Sequence, residues 1–432
     1  MQGFFTKKQT QSKSRPNGKV LSCTSCGLYK NCDNPRMQPY GNFKRGILTI
    51  GEAPGEVEDQ KGRPWQGKSG RLLQRTFNTL GVDLFEDCLN IYACHCLPTD
   101  KDGNIRNPLP HEIECCRKTT IQIIEKYKPK VVILLGHSAV YSIIGNHWKK
   151  DLGGTNKSKY GSIFKWRGFQ IPDQEYKTWI CPVFSPVQME NNMRKENGWI
   201  SNSVEITIWQ QDLREAFKMI EIPFPVHVEP TIETIEDLTQ LNYFPIEYGA
   251  KAKFHNGIVA FDYETTGKKP QAEGHKIICA SVAVSKDYVY VFMIPENRIQ
   301  RKPFVQLLAN ENIKKIAHNL KFEETWSKVR LRQSVKGWNW DTMLMAHILD
   351  NRRGVTGLKF QTYVYFGIAD YSSEIEPYLI SVDPKDGNSL NRIEELIKKP
   401  GGKEKLLKYC ALDSIFEYRL AQLQKNSINQ NQ

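Results

Sequence analysis

No run of about 18 consecutive apolar residues occurs in this 432-residue chain, so a membrane-spanning helix is not expected. The N-terminus carries Lys7, Lys8, Lys13, Arg15 and Lys19 but lacks the apolar stretch of a secretory signal. Those two absences together imply an intracellular protein with no membrane partner. Internal repeats are missing, and the only low-complexity segment is the Asn/Gln-rich end after Lys425. Acidic residues are in deficit: 47 Asp+Glu against 60 Lys+Arg leave a net charge of +13 and a pI near 9.1. Such a balance favours a polyanionic partner, although it carries no information about fold. Basic residues cluster at 1–20, 149–167 and 398–408. With 40% apolar and 25% charged residues, wholesale disorder is excluded. Cysteine is plentiful and unevenly placed, with eight of the 11 before residue 117. In an intracellular chain that skew suggests a metal site or reduced thiols rather than a disulfide framework.

At about 100–200 residues per domain, the length allows two or three domains. Residues 1–22 form a basic, flexible tail. From 23 to 218, short apolar runs alternate with helical patterns. The runs 46–50 and 130–135 read as buried strands, each followed by a glycine (Gly51, Gly136), a loop and a helix, as in a doubly wound sheet. Helices are expected at 69–80, 111–126 and 138–145. Residues 219–227 hold two prolines and read as a linker. A helix with an acidic face is expected at 231–241. Beyond Gly257 the pattern restarts with strands at 258–262, 277–284 and 288–294, an antiparallel meander. Helices follow at 303–308, 321–329, 341–349, 393–398 and 403–423. The segment 228–425 is therefore a second α/β domain with one mixed sheet, and 426–432 a polar tail.

Chemistry in the second half rests on carboxylates. Asp262-Tyr263-Glu264 closes an apolar strand, and residues two apart on a strand face one side. Paired carboxylates repel unless they share divalent cations. Alone, such a pair is more often a solvated surface feature. Two further pieces change that balance: Asn319-Leu320-Lys321-Phe322-Glu323, and Tyr409-Cys410-Ala411-Leu412-Asp413, whose tyrosine and aspartate lie on one helix face. Acids beside apolar faces are costly to bury unpaired, and metal ions resolve the cost.

This ordered set resembles the DEDD-type 3′–5′ exonucleases, in the tyrosine subclass that proofreads within family A DNA polymerases. The segments Asp341-Thr342-Met343-Leu344 and Gly357-Leu358-Lys359 are similar to those between that family's second and third motifs. The resemblance spans about residues 228–425 and implies a ribonuclease-H-like fold. It implies that Asp262, Glu264 and Asp413 hold one Mg²⁺ or Mn²⁺, that Glu323 helps hold a second through water, and that Tyr409 orients the attacking water. Glu323 departs from the family, which more often has aspartate there; the extra methylene puts rate in doubt.

In the first half, Cys23-Thr24-Ser25-Cys26 is a C-x2-C pair, and Cys96 and Cys116 follow, each near a second cysteine. Four sulfurs suit zinc or an iron–sulfur cluster, and spacing does not choose between them. The loop Gly51-Glu52-Ala53-Pro54-Gly55 follows a strand, where glycine lets backbone approach a ligand closely. The Ser69-Gly70 step ahead of a helix could offer N–H groups to a phosphate, although a tight turn is the commoner use. The stretch from Cys23 to about Leu213 resembles the family-four uracil-DNA glycosylases. Its carriers include the Gly-Glu-Ala-Pro-Gly loop, Cys96-Leu97-Pro98, the segment from Asn107 to Cys116, and Leu135-Gly136-His137-Ser138-Ala139. The resemblance implies an α/β/α domain with a [4Fe–4S] cluster on Cys23, Cys26, Cys96 and Cys116, with Cys32, Cys94 and Cys115 as spares.

By the same resemblance, Glu52, Ala53, Pro54 and Gly55 form the pocket loop and Trp65 takes the base-stacking position. The base-reading asparagine is replaced by Tyr92, and the late histidine by Ser185. Tyrosine lacks an amide's paired donor and acceptor, and serine brings no positive charge to a departing uracil anion. If Cys94 were the third ligand, Asn90 would return as the reader. The two halves together are similar to the front of phage-type family A polymerases. The resemblance therefore implies a DNA 3′–5′ exonuclease acting on single-stranded or frayed 3′ ends, with a glycosylase-like domain degenerate for base excision. Either a separate family A polymerase polypeptide is the partner, or the chain is a stand-alone exonuclease, in a bacterial or phage-infected cytoplasm. An active glycosylase coupled to an exonuclease, and a non-catalytic DNA-binding scaffold, are the alternatives.

Overall fold

The computed structural model describes residues 23–147, 163–195, 204–245, 250–254 and 257–430. The expected basic tail (1–22) and most of the basic cluster at 149–167 lie outside the described residues. The chain divides into two compact units: Met1–His227 with Tyr363–Ala369, and Val228–Thr362 with Asp370–Gln432. Among the described residues no helix is long and apolar enough to cross a membrane.

Unit 1 is built on strands β1 (Ile47–Gly51), β2 (Cys88–Tyr92), β3 (Val131–Leu135), β4 (Ile171–Asp173) and β5 (Thr178–Val183). They line up as β2-β1-β3-β5-β4, parallel except for β4. β1, β2 and β3 are buried along their whole length, the near-continuous burial that parallel strands need. The helices are α1 (Glu56–Lys61), α2 (Lys68–Thr79), α3 (Pro110–Tyr127), α4 (His137–His147), α5 (Ile163–Trp166), α6 (Pro186–Lys195) and α7 (Val204–Lys218). From β1 the chain passes to β2 on one side and later to β3 on the other. Such a switch opens a crevice outside the strands' carboxyl ends, where Glu52 and Gly136 stand.

Helix α4 enters that crevice with Ser138 and is pinned at its far end by His147. The imidazole lies 2.9 Å from Asp173 and 3.1 Å from Glu175. Burial alone would push its pKa down, but the two carboxylates outweigh it and raise it to about 10. The folded state thus binds the proton more tightly than the unfolded chain. The resulting stability is complete below about pH 6.5 and is lost as pH rises through about 10. We expect His147→Gln to destabilise the protein by about 3 kcal/mol at pH 6 and by much less at pH 10, measured by urea unfolding.

Unit 2 contains β6 (Thr231–Thr234), β7 (Tyr243–Pro245), β8 (Lys251–Lys253), β9 (Gly257–Thr265), β10 (Ile277–Ser285), β11 (Tyr288–Met293), β12 (Ile313–Ala317) and β13 (Trp338–Asp341). β7 and β8 pair as a small ribbon. The main sheet runs β13-β12-β9-β10-β11-β6. β9, β10 and β11 form the antiparallel meander, while β12 joins β9 in parallel on its other edge. This mixed order is the ribonuclease-H-like one, extended by β6. Phe261, Tyr263, Tyr290, Phe292, Phe304 and Trp326 dominate its core. The helices are α8 (Arg298–Ala309), α9 (Leu320–Trp326), α10 (Thr342–Leu349), α11 (Leu358–Phe366, whose last turn from Tyr363 belongs to unit 1), α12 (Glu376–Leu379), α13 (Ile393–Ile397) and α14 (Gly402–Gln430).

Three expectations are corrected. The helix expected at 231–241 is instead β6, paired in parallel with β11, followed by a 3-10 turn over Leu238–Asn242. β-branched Thr231, Ile232 and Thr234 suit a strand, and Leu238 and Leu241 bury against the core. The helix expected at 321–329 begins at Leu320 and passes into a π turn at Ser327–Leu331. Asn319 is not within it: at φ 72° it is the left-handed N-cap, and Asp341 accepts from its N–H at 3.2 Å and that of Leu320 at 3.0 Å. Finally, the polar tail expected from 426 is helical to Gln430, because extending a nucleated helix costs little.

Candidate functional site

The carboxylates of unit 2 arrive from three elements. β9 presents Asp262, partly exposed, and Glu264, buried. α9 presents Glu323, 3% exposed, and α14 presents Asp413, also buried. Cross-strand register sets Asp262 opposite Ser281 and Glu264 opposite Cys279. The Ser281 hydroxyl then donates to the Cys410 carbonyl at 2.7 Å, tying the sheet to α14 beside the site.

Desolvation pushes Asp262, Glu264 and Glu323 well above the usual carboxylate range, and mutual repulsion adds to it. Asp413 is the main neighbouring charge on Asp262, and Asp262 on both glutamates. Lys359 opposes the charge of Asp262 and Glu264: its ammonium pairs with Asp413 and lies 3.9 Å from the Tyr371 ring centroid and 4.3 Å from that of Tyr409. The Tyr371 hydroxyl donates to the same Asp413 oxygen at 2.6 Å. Donor atoms of Asp262, Glu264 and Cys410 all fall within 4.8 Å of one another. Hard oxygen donors in a crowded, desolvated group fit divalent cations.

In the metal-free protein, these raised carboxylates keep protons that the unfolded chain releases near pH 4. Stability is therefore fully present below that pH and falls as pH rises toward neutrality. We expect thermal melts in chelator to show this fall between pH 5 and pH 8. Asp262→Asn should flatten it and raise metal-free stability at pH 8 by about 1–2 kcal/mol.

In unit 1 the cysteines gather. Cys94, Cys96 and Cys116 form a buried cluster with Leu28, against which Cys26 and Cys32 pack. The Cys94 thiol donates to the Cys96 carbonyl at 3.5 Å and the Cys26 thiol to the Cys23 carbonyl at 3.9 Å, and Cys115 lies close to Cys26 and Cys116. Burial pushes the thiols of Cys96 and Cys115 up to about 12. Backbone N–H groups of Arg36 and His95 point at the sulfurs of Cys96 (3.3 Å) and Cys116 (3.4 Å). Amides aimed at sulfur are the donors that stabilise metal-bound thiolates, so this set fits a metal or cluster.

The crevice residues are accounted for one by one. Glu52 accepts from both the N–H and the hydroxyl of Ser138, each at 3.2 Å. A side chain at Gly136 (φ +99°) would strike Glu52 and Ser185 at 2.8 Å, so those two flank it. Ser185 turns its hydroxyl to the Val187 N–H at 3.3 Å. Trp65, in the left-handed region at φ +62°, donates its N–H to the Tyr92 hydroxyl at 3.1 Å, and the rings lie 5.1 Å apart. Both are nearly fully buried, at 5% and 3% exposure. They close over Gly51, where a Cβ would come within 2.6 Å of the tryptophan and 2.7 Å of the tyrosine. Asn90 is buried within the sheet, accepting from Thr49 at 2.7 Å and donating to Tyr40 and Leu84 carbonyls at 3.0 and 2.7 Å.

Residues 38–210 match the uracil DNA glycosylase superfamily, and residues 232–427 match the 3′–5′ exonuclease domain family. The type-4 uracil-DNA glycosylase of Thermotoga maritima is 34% identical over 178 residues, 41% of this chain and 83% of that protein. The chain belongs to the uracil-DNA glycosylase superfamily through its N-terminal half. Its C-terminal half is similar to the 3′–5′ exonuclease domain family over residues 232–427. The Archaeoglobus fulgidus type-4 uracil-DNA glycosylase is 35% identical over 124 residues, 29% of this chain and 59% of that protein. A DNA polymerase of Bacillus phage SP01 is 24% identical over 350 residues, covering 74% of this chain but only 34% of the polymerase.

Within the glycosylase-family half, the structure brings together Cys26, Cys96 and Cys116, with Cys23 beside Cys26, and the spares Cys32, Cys94 and Cys115 are interleaved with them. The Ser69-Gly70 step lies inside the first turn of α2 rather than ahead of it. Within the exonuclease half, Asp262, Glu264, Glu323 and Asp413 converge, with Tyr409 against Lys359. Sequence reasoning missed Lys359 as the counter-ion, Tyr371 as a donor to Asp413, Cys410 beside the carboxylates, and Glu417. Glu417 was legible in principle: it continues the four-residue spacing of Tyr409 and Asp413 along one helix face.

Proposed function

We propose that this chain is a metal-dependent 3′–5′ exodeoxyribonuclease that shortens single-stranded or frayed DNA 3′ ends. The observation that carries the reading is the convergence of carboxylates from β9, α9 and α14, of which Asp413 pairs with Lys359. Asp262, Glu264 and Asp413 are the candidate ligands of one Mg²⁺ or Mn²⁺, and Glu323 of a second. When bound, the pair would stabilise the attacking and leaving oxygens of a phosphoryl displacement. In the ion-free state Lys359 and Tyr371 hold the Asp413 carboxylate in place. Tyr409, on the same face of α14, is the residue to orient the attacking water. The +13 charge supports binding to the DNA backbone, and binding should weaken steeply with salt. A paired 3′ terminus must fray before it can enter. We expect a mispaired primer end to be shortened at least tenfold faster than a paired one, on a denaturing gel in Mg²⁺, with chelator stopping both.

The glycosylase-family half, residues 23–218, is read as a [4Fe–4S] domain on Cys23, Cys26, Cys96 and Cys116 that serves DNA or partner binding. Base excision is weak or absent. Two side chains support this: Tyr92 occupies the reader's position and bonds to Trp65, and Ser185 brings no charge. Asn90, the alternative reader, has its amide committed within the sheet. Uracil-containing single strands treated with the protein and then alkali should stay intact; efficient scission would restore the active-glycosylase reading. The likeness to a phage DNA polymerase supports a separate family A polymerase as partner, in bacterial or phage-infected cytoplasm.

A further inference from the structure

We propose that Glu417 is a fifth carboxylate ligand of the exonuclease centre, joining Glu323 in holding the second cation directly. The inference rests on the exonuclease reading above and adds a ligand that the four-acid pattern does not contain. Glu417 lies on α14 one turn beyond Asp413 and two turns beyond Tyr409, so all three share a face. It is 1% exposed. Its charged neighbours are Asp262, Glu323 and Asp413, which aims the carboxylate into the centre rather than at a salt-bridge partner.

Among the described residues the Oε2 atom of the Glu417 carboxylate has no hydrogen-bond partner. The same holds for Oε2 of Glu323, which is 3% exposed. Two buried carboxylate oxygens left bare, both under the charge of Asp262, are expensive unless something positive offsets them. Lys359 does not meet that need. Its charge is spent on Asp413 and extends to Asp262 and Glu264, whereas the leading neighbours of Glu323 and Glu417 are other carboxylates. A structural role would instead have Glu417 protonated and serving as packing, which an isosteric amide reproduces.

The test is Mn²⁺ binding to the full chain, read from the loss of the free-ion signal in electron paramagnetic resonance. Wild type should bind two Mn²⁺ at the exonuclease centre. Glu417→Gln should keep the first and weaken the second at least about tenfold, the scale of a lost metal-shell partner. Glu417→Leu, which removes the charge and the polar atoms together, should do the same, and metal-free melts confirm that each variant is folded. Two unchanged sites in both variants would overturn the role of Glu417 and leave the exonuclease reading standing. Wild type that binds no Mn²⁺ would overturn both.

Discussion

Alanine at both Asp262 and Asp413 should slow 3′-end shortening about a thousandfold or more. These carboxylates come from the central strand and the long helix of one unit, and Asp413 is the main neighbouring charge on Asp262. Metal centres supply several kcal/mol of charge stabilisation to a phosphoryl transition state, and each 1.36 kcal/mol is about tenfold in rate. The same double variant should melt higher than wild type in chelator, because it removes two mutually repelling, desolvated acids. That opposite movement separates lost chemistry from lost fold. Tyr409→Phe is the contrasting variant: Mn²⁺ binding should persist while the rate falls, since a phenol that orients water does not hold the ion.

Serine at Cys116 should cost the glycosylase-family half its cluster and much of its stability. Cys116 is buried in one cluster with Cys94 and Cys96, and the His95 N–H points at its sulfur at 3.4 Å. Ligand binding by structural metal sites is folding free energy, on the order of 10 kcal/mol for small zinc domains. We expect iron and sulfide to fall to background in anaerobically purified Cys116→Ser, with the visible absorption lost and the melting temperature of unit 1 lowered. Cys94→Ser and Cys96→Ser decide the register between two candidates that share one buried cluster. Retention of iron in the first and its loss in the second is the expected pattern. Stoichiometric zinc in wild type would replace the cluster with a simpler metal site.

Local pattern made most of both sheets legible. The apolar runs ending at Gly51 and Gly136 are β1 and β3, and the three β-rich runs after Gly257 are the meander β9–β11. Their order in space depends on pairings between distant segments, which periodicity does not encode. β6 was misread for that reason: Thr231–Thr234 has helical neighbours in sequence but an open edge of β11 to pair with. The start of α9 was misplaced because Asp341, far along the chain, captures the N–H groups of Asn319 and Leu320 and holds Asn319 left-handed. At the candidate site, spacing found the residues that recur along one strand or one helix face. Lys359 stood out only within the Gly357-Leu358-Lys359 segment and Tyr371 not at all, because their approach to Asp413 is purely tertiary and spacing does not assign it. Tyr92 was visible as a departure from the glycosylase pattern, but its bond to Trp65 required the left-handed turn at that tryptophan.

A 5′-labelled single strand, followed on a denaturing gel with Mg²⁺ or Mn²⁺, tests most directly whether residues 228–425 form a working metal-dependent 3′–5′ exonuclease. The expected result is a ladder that shortens one nucleotide at a time from the 3′ end, disappears in chelator and is absent with the Asp262→Ala/Asp413→Ala protein. A strand left at full length with both metals, or a labelled mononucleotide released first from the 5′ end, would contradict it.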